Sequence, residues 1–84
     1  MSRALEWTPA AERDLRRIDP QVRERIRQAV YHLVDTGQGD VRRLQGRPRE
    51  WRLRVGDWRV GFTEDPTGQM VIILRVRHRG EAYR

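Results

Sequence analysis

Trp51-Arg52-Leu53-Arg54-Val55-Gly56-Asp57-Trp58-Arg59-Val60-Gly61-Phe62 carries the strongest structural pattern in the chain. Trp51, Leu53 and Val55 alternate with Arg52 and Arg54, and Trp58, Val60 and Phe62 alternate with Arg59 and Gly61. A period of two predicts a pair of half-buried strands. Gly56-Asp57 between them suits a type II′ turn, which takes glycine at its first central position, so an antiparallel hairpin is expected. One face of it is apolar and aromatic, and the other gathers Arg52, Arg54 and Arg59. Guanidiniums held side by side repel one another unless an anion joins them, and a phosphate fits that need. Charged outward positions also keep a sheet edge soluble, so the three arginines acquire meaning only from the rest of the chain.

Downstream, residues 64–69 (Glu-Asp-Pro-Thr-Gly-Gln) are dense in turn formers and lead into Met70-Val71-Ile72-Ile73-Leu74-Arg75-Val76-Arg77. This apolar run predicts a strand that is covered on both sides or central in its sheet. Ile72, Leu74 and Val76 are expected to face the helices, sending Arg75 and Arg77 to the face of Arg52, Arg54 and Arg59. Gly61 on that face leaves room beside Arg59. The end of the chain, 77–84, sets an imidazole and a phenol among arginines. His78 can exchange a proton near neutral pH, and Tyr83 can do so if nearby positive charge lowers its pKa.

Upstream, Leu5 and Trp7 alternate with Ala4 and Glu6, predicting a brief strand over residues 3–7. Thr8-Pro9 is an N-cap followed by proline at the first helical position, and it starts a helix expected over 9–18 with Ala11, Leu15 and Ile18 buried. Arg13, Asp14, Arg16 and Arg17 are expected to be solvated. Asp19-Pro20 repeats the start signal for a second helix over 20–36, buried through Val22, Ile26, Ala29, Val30 and Leu33 and stopped by Gly37. The polar residues 38–50 are expected as a loop anchored by Val41 and Leu44.

Among the 84 residues, 18 are basic and 12 acidic, every basic residue is arginine, and the formal net charge is +6. An excess of this size on one small domain, 1–84, points to a polyanionic partner, either nucleic acid or an acidic protein. The absence of cysteine excludes a disulfide framework and a thiolate metal site. No apolar run approaches the roughly 18 residues that would span a bilayer, and the N-terminus lacks a signal peptide's apolar segment, so a cytoplasmic protein with no membrane partner is expected. The acidic residues form no pattern resembling a magnesium site, and no cofactor is expected.

The order β-α-α-β-β-β predicts an α+β fold in which a helical hairpin packs on one face of a small antiparallel sheet. Five motifs add to it: Trp7-Thr8-Pro9-Ala10-Ala11, the Asp-Leu-Arg-Arg-Ile run at 14–18, Arg43-Leu44-Gln45-Gly46, residues 51–60, and Val76-Arg77-His78-Arg79-Gly80-Glu81-Ala82-Tyr83. Carrying them, the chain resembles the RelE/ParE superfamily of bacterial type II toxins over essentially its whole length. The resemblance implies neutralisation by a cognate antitoxin encoded beside the toxin. It also implies one of two activities: RelE-like members cut messenger RNA in the ribosomal A site, whereas ParE-like members act on DNA gyrase.

Carried over position by position, the resemblance puts Arg52 and Arg54 at the outward basic positions of the RelE-like strand. Arg59 falls at the arginine that follows the aromatic residue of the next strand. Counting back from the terminal aromatic, Arg77 takes the place of a further catalytic arginine and Tyr83 that of the catalytic tyrosine. ParE-like proteins usually lack this full set, which favours an endoribonuclease. Arginine stands where the best-studied pattern has lysine, and a guanidinium, which stays protonated at any physiological pH, is a poor proton carrier. The implied site therefore has Arg59 and Arg77 on the scissile phosphate and Arg52 and Arg54 orienting the RNA backbone. Arg75 and Arg79 add RNA-binding charge, and Tyr83 or His78 moves protons. A gyrase-inhibiting toxin and a non-catalytic nucleic-acid-binding module are the alternatives. Trp51, Trp58 and Phe62 would be base-stacking residues in the last of these, but their alternation assigns them to the core.

Overall fold

Residues 51–62 form the expected hairpin, and the other elements assemble on it. A computed structural model describes residues 3–82. In chain order the elements are β1 (Ala4–Trp7), α1 (Pro9–Arg16), α2 (Pro20–Thr36), β2 (Val41–Arg43), β3 (Trp51–Val55), β4 (Trp58–Glu64), β5 (Met70–His78) and the single turn α3 (Arg79–Ala82). Gly56 takes φ +58° and Asp57 does not have positive φ, the combination that a type II′ turn requires. The strands form one sheet in the order β1-β5-β4-β3-β2, and the helices cover one face of it.

Several elements depart from expectation. Val41–Arg43 pairs with β3 as an edge strand inside the expected loop, and β1 runs parallel to β5. The parallel pairing follows from the connection: α1 and α2 carry the chain over the sheet, so β1 can align with a strand distant in sequence without a hairpin. α1 ends at Arg16 rather than at residue 18, although Ile18 is still buried at 6% exposure.

The core lies between the helices and one sheet face. Cross-strand neighbours Leu53, Val60 and Val76 meet Ala11, Leu15, Ile26, Val30 and Leu33 there. Trp51 stacks on Phe62 with centroids 6.0 Å apart, on the same face, as their alternation predicts. The expected inward face of β5 is wrong over half of the strand. Val71 and Ile73 are fully buried, not Ile72 and Leu74, whereas Val76 is buried as expected. A β-bulge is the cause: Phe62 pairs with Ile73 and Gly61 with Arg75, leaving Leu74 as an extra residue that reverses the alternation.

Local chemistry accounts for the helix ends. Thr8 Oγ1 accepts from Ala11 N–H at 3.1 Å, and Asp19 Oδ2 accepts from Gln21 N–H at 3.1 Å. The other end of α1 is capped from α2. Arg23 Nε donates to Leu15 O at 2.9 Å and its Nη2 to Ile18 O at 2.9 Å and Arg16 O at 3.5 Å, so one cation serves three carbonyls at and just past the negative end of the α1 dipole. Arg23→Ala should lower stability by about 1.5–3 kcal/mol, the usual worth of hydrogen bonds to a charged group. Arg23→Lys should recover only part of this, because an ammonium cannot reproduce the fork. Urea denaturation of the three proteins checks both, and equal midpoints would remove Arg23 from the cap.

A candidate nucleic-acid interface on the open sheet face

Strand pairing sets where the arginines stand. Arg54 pairs with Arg59, and Arg59 with Arg77, so the three form one row across β3, β4 and β5. The next row runs Arg42, Arg52, Gly61, Arg75. Both rows alternate with the core residues and therefore occupy the face that the helices leave uncovered. All five arginines expected on this face are on it, because the bulge that changes the phase of β5 restores it before Arg75.

Their partners differ. Arg59 Nη1 donates to Gly56 O at 2.9 Å and to Trp58 O at 3.0 Å, which ties the guanidinium to the hairpin turn. Among the described residues Arg54, Arg59 and Arg77 form no ion pair. Like charges placed directly opposite one another destabilise a sheet, so the row costs stability unless an anion neutralises it. Arg75 is different. Its Nε and Nη2 donate to Asp14 Oδ2 and Oδ1 at 2.9 and 3.3 Å, and Val76 N–H donates to the same Oδ2 at 2.9 Å.

Asp14 is thus not the solvated helix residue that its position in α1 suggested; its side chain is 12% exposed. β1 stops pairing at Ile73, so the outer edge of β5 beyond it lacks a strand. α1 supplies the missing partners: Thr8 Oγ1 donates to Leu74 O at 3.0 Å, and Asp14 accepts from Val76 N–H. Burial pushes the Asp14 carboxyl up, but the Arg75 guanidinium, the Val76 N–H and the nearby Arg77 charge outweigh it and hold it below the ordinary carboxylate range. The same pairing raises Arg75. No single-sequence signal marks Asp14, since the contact spans 61 residues of chain.

A groove of about 550 Å³ opens on this face, lined by Arg52, Arg59, Arg75 and Arg77 around Gly61 and Leu74, with Leu44, Gln45, Arg47 and Glu50 along one side. The remaining expected site residues lie elsewhere. His78 is across from Trp58 in the sheet, with the rings edge to face at 5.4 Å. That contact is on the helix side, so the structure separates His78 from the arginine row it was expected to serve. Arg79 starts α3, where its N–H donates to Asp57 O at 2.7 Å and its guanidinium stands 4.0 Å from the Asp57 carboxylate. Tyr83 lies outside the described residues. Glu64 and Asp65, set aside as turn residues, are used structurally: Glu64 pairs with Arg3 at 3.1 Å, and Asp65 accepts from Thr67 Oγ1 and Met70 N–H. Among the described residues no helix is long and apolar enough to cross a membrane.

Comparison with known proteins agrees with this architecture. The model of the ParE toxin of the type II toxin–antitoxin system parDE matches residues 5–83. Toxin RelE3 of Methanocaldococcus jannaschii is 26% identical over 76 residues, 84% of either chain. In the crystal structure of the RelBE2 toxin–antitoxin complex of Mycobacterium tuberculosis, one chain superposes with a TM-score of 0.82 at 23% identity, covering 94% of this chain and 93% of that one. The archaeal RelE–RelB complex of Pyrococcus horikoshii gives 0.78 at 21% identity, covering 95% and 98%. With a family model matched over nearly its full length and the helix-on-sheet fold of the RelE structures, this chain belongs to the ParE toxin family of type II toxin–antitoxin systems, within the RelE/ParE superfamily.

Proposed function

We propose that the chain is a ribosome-dependent endoribonuclease that cuts messenger RNA by attack of a 2′-hydroxyl on the adjacent phosphate. The observation that carries this reading is the cross-strand row of Arg54, Arg59 and Arg77, which forms no ion pair among the described residues and borders an open groove. In the reaction the 2′-oxygen bonds to phosphorus as the bond to the 5′-oxygen breaks. The 2′-hydroxyl loses a proton, the 5′-oxygen gains one, and the products are a 2′,3′-cyclic phosphate and a 5′-hydroxyl. Arg59 and Arg77 hold the phosphate and neutralise the charge that grows on its oxygens, while Arg52 and Arg54 orient the strand. Tyr83 carries a proton. His78 is left out of this set because it faces Trp58. Guanidiniums are poor bases, so the ribosome contributes by ordering the RNA for attack.

A cognate antitoxin completes the reading. The similar chains from M. tuberculosis and P. horikoshii are toxin–antitoxin complexes, which supports such a partner here. An acidic or amphipathic segment laid over the sheet face would neutralise the arginine row and block the groove. The matching family model favours a second reading, a gyrase inhibitor for which the arginine face is a docking patch. Primer extension on a message in an actively translating extract separates the two. Discrete breaks within codons, weakened by Tyr83→Phe, are the expected result. An intact message together with blocked gyrase supercoiling would overturn it.

A further inference from the structure

Three consecutive carbonyls of the β3–β4 turn have partners. Arg59 Nη1 donates to Gly56 O at 2.9 Å and to Trp58 O at 3.0 Å, and the carbonyl between them, Asp57 O, accepts from Arg79 N–H at 2.7 Å. Carbonyls at a hairpin tip ordinarily meet water. Here two of them hold the central arginine of the phosphate row, and the third holds the first residue of α3.

Trp58 pairs with His78, so the bond from Arg79 to Asp57 carries the β4–β5 ladder one step past the strands and fixes where the helix begins. The side chains add little: the Arg79 guanidinium stands 4.0 Å from the Asp57 carboxylate, and both are about two-thirds exposed. His78 supports the same corner. It meets Trp58 edge to face at 5.4 Å, and its Nδ1 accepts from Gly80 N–H at 3.5 Å. A helix of four residues is too short to hold itself in water, so α3 depends on what pins it. Beyond the pin, the Glu81 carboxylate lies close enough to Arg75 to add to the rise that the Asp14 bond gives that guanidinium. α3 thus begins at the turn that aims Arg59 and carries Glu81 toward Arg75, with Arg77 between the two along β5. Tyr83 follows Ala82 directly in the chain. From the pinned residue to Tyr83 the chain spans about 6 Å as helix and at most about 14 Å fully extended.

We propose that the Gly56-Asp57 turn is the positioning element that registers Tyr83 against the phosphate held by Arg59. Asp57 O anchors the segment that bears the tyrosine, while the carbonyls on either side of it aim the arginine. Proton carrier and phosphate clamp share one support, so their spacing is set before RNA arrives. Asp57 and the Arg79 main chain touch no reacting atom and act through Tyr83. The proposal rests on the RNA-cleaving reading and adds to it how the proton carrier is placed.

The test compares Arg79→Pro with Arg79→Ala. Both lose the cation, but only proline also loses the N–H, and its fixed φ suits the first position of a helix. On purified ribosomes carrying a message with an empty A site, Arg79→Pro should cleave about tenfold more slowly than Arg79→Ala at saturating toxin, the scale of a slight misplacement of a reacting group. The toxin concentration that gives half the maximal rate should be the same for both, because the phosphate contacts are untouched. In a Tyr83→Phe background the two should cleave equally slowly, since the anchor has no hydroxyl left to place. Glu81→Ala, which loosens α3 beyond the pin, should show the same dependence on Tyr83 and makes the comparison if proline disturbs folding. Equal rates for Arg79→Pro and Arg79→Ala would overturn the anchor and leave the arginine row standing. So would a proline effect of the same size with and without the Tyr83 hydroxyl, the mark of a purely structural defect. A wild-type protein that cuts no message would overturn the cleavage reading and the anchor together.

Discussion

Arg59→Ala should cut messages at least about 100-fold more slowly than the wild type in a translating extract, the scale of losing one preorganised donor at a developing anion. Arg59 is central in its row, with Arg54 on one side and Arg77 on the other. Its bonds to Gly56 O and Trp58 O aim the guanidinium from the hairpin turn. The substitution also removes the middle of three like charges, so the relief of repulsion offsets the two lost hydrogen bonds. The unfolding midpoint should therefore stay within a few degrees of the wild type. Arg59→Lys should recover only part of the rate, since an ammonium keeps the charge and loses the bidentate fork. Cleavage by Arg59→Ala at the wild-type rate would remove Arg59 from the chemistry.

The largest effect on stability is expected at Asp14. Asp14→Ala removes a bidentate pair with Arg75 and leaves Val76 N–H without its acceptor. Arg75 is half exposed and can return to water, so most of the loss comes from the orphaned N–H and from the charged hydrogen bonds, together about 2–3 kcal/mol. For a chain of this size that is on the order of 10 °C or more in unfolding temperature. The pH dependence has a definite sign. The folded-state pKa of Asp14 lies below its ordinary value of 3.8, so its contribution is fully present above that pH and is lost as the pH falls through the lower folded value. The stability gap between wild type and Asp14→Asn should be widest near neutrality and close below about pH 4. A gap that stays constant down to pH 2 would show that the ion pair contributes nothing.

Much of the fold was legible because it rests on short-range rules. The β3–β4 hairpin follows from alternation around Gly56-Asp57, and both helix starts follow from Thr8-Pro9 and Asp19-Pro20. The end of α2 at Gly37, with φ +77°, follows from the one residue that takes this conformation without strain. β2 was missed because three residues rich in arginine carry too little pattern to stand out from a loop. The phase of β5 was missed for a different reason. In an unbroken apolar run either alternate set could face the core, and the bulge at Leu74 lets each set do so in turn.

The arginine face was foreseen through the alternation of β3 and β4, yet the division of labour within it was not. Arg75 and Arg77 are indistinguishable in sequence: each is an outward arginine at the end of an apolar strand. Only the approach of α1 to the open edge of β5 separates them, by bringing Asp14 to Arg75 and leaving Arg77 in the row with Arg59. His78 follows the same logic in reverse, since its place beside Arg77 in the chain puts it on the opposite face of the sheet.

Period, caps and turn residues act over a few positions, so most of the elements, the apolar faces of the hairpin and helices and the gathering of arginines on one side follow from local sequence. The bulge, the parallel pairing of β1 and the contact of Asp14 with Arg75 depend on residues tens of positions apart. They emerge only when the elements pack, because which carboxylate neutralises which guanidinium is settled by packing, and local propensity carries no information about it.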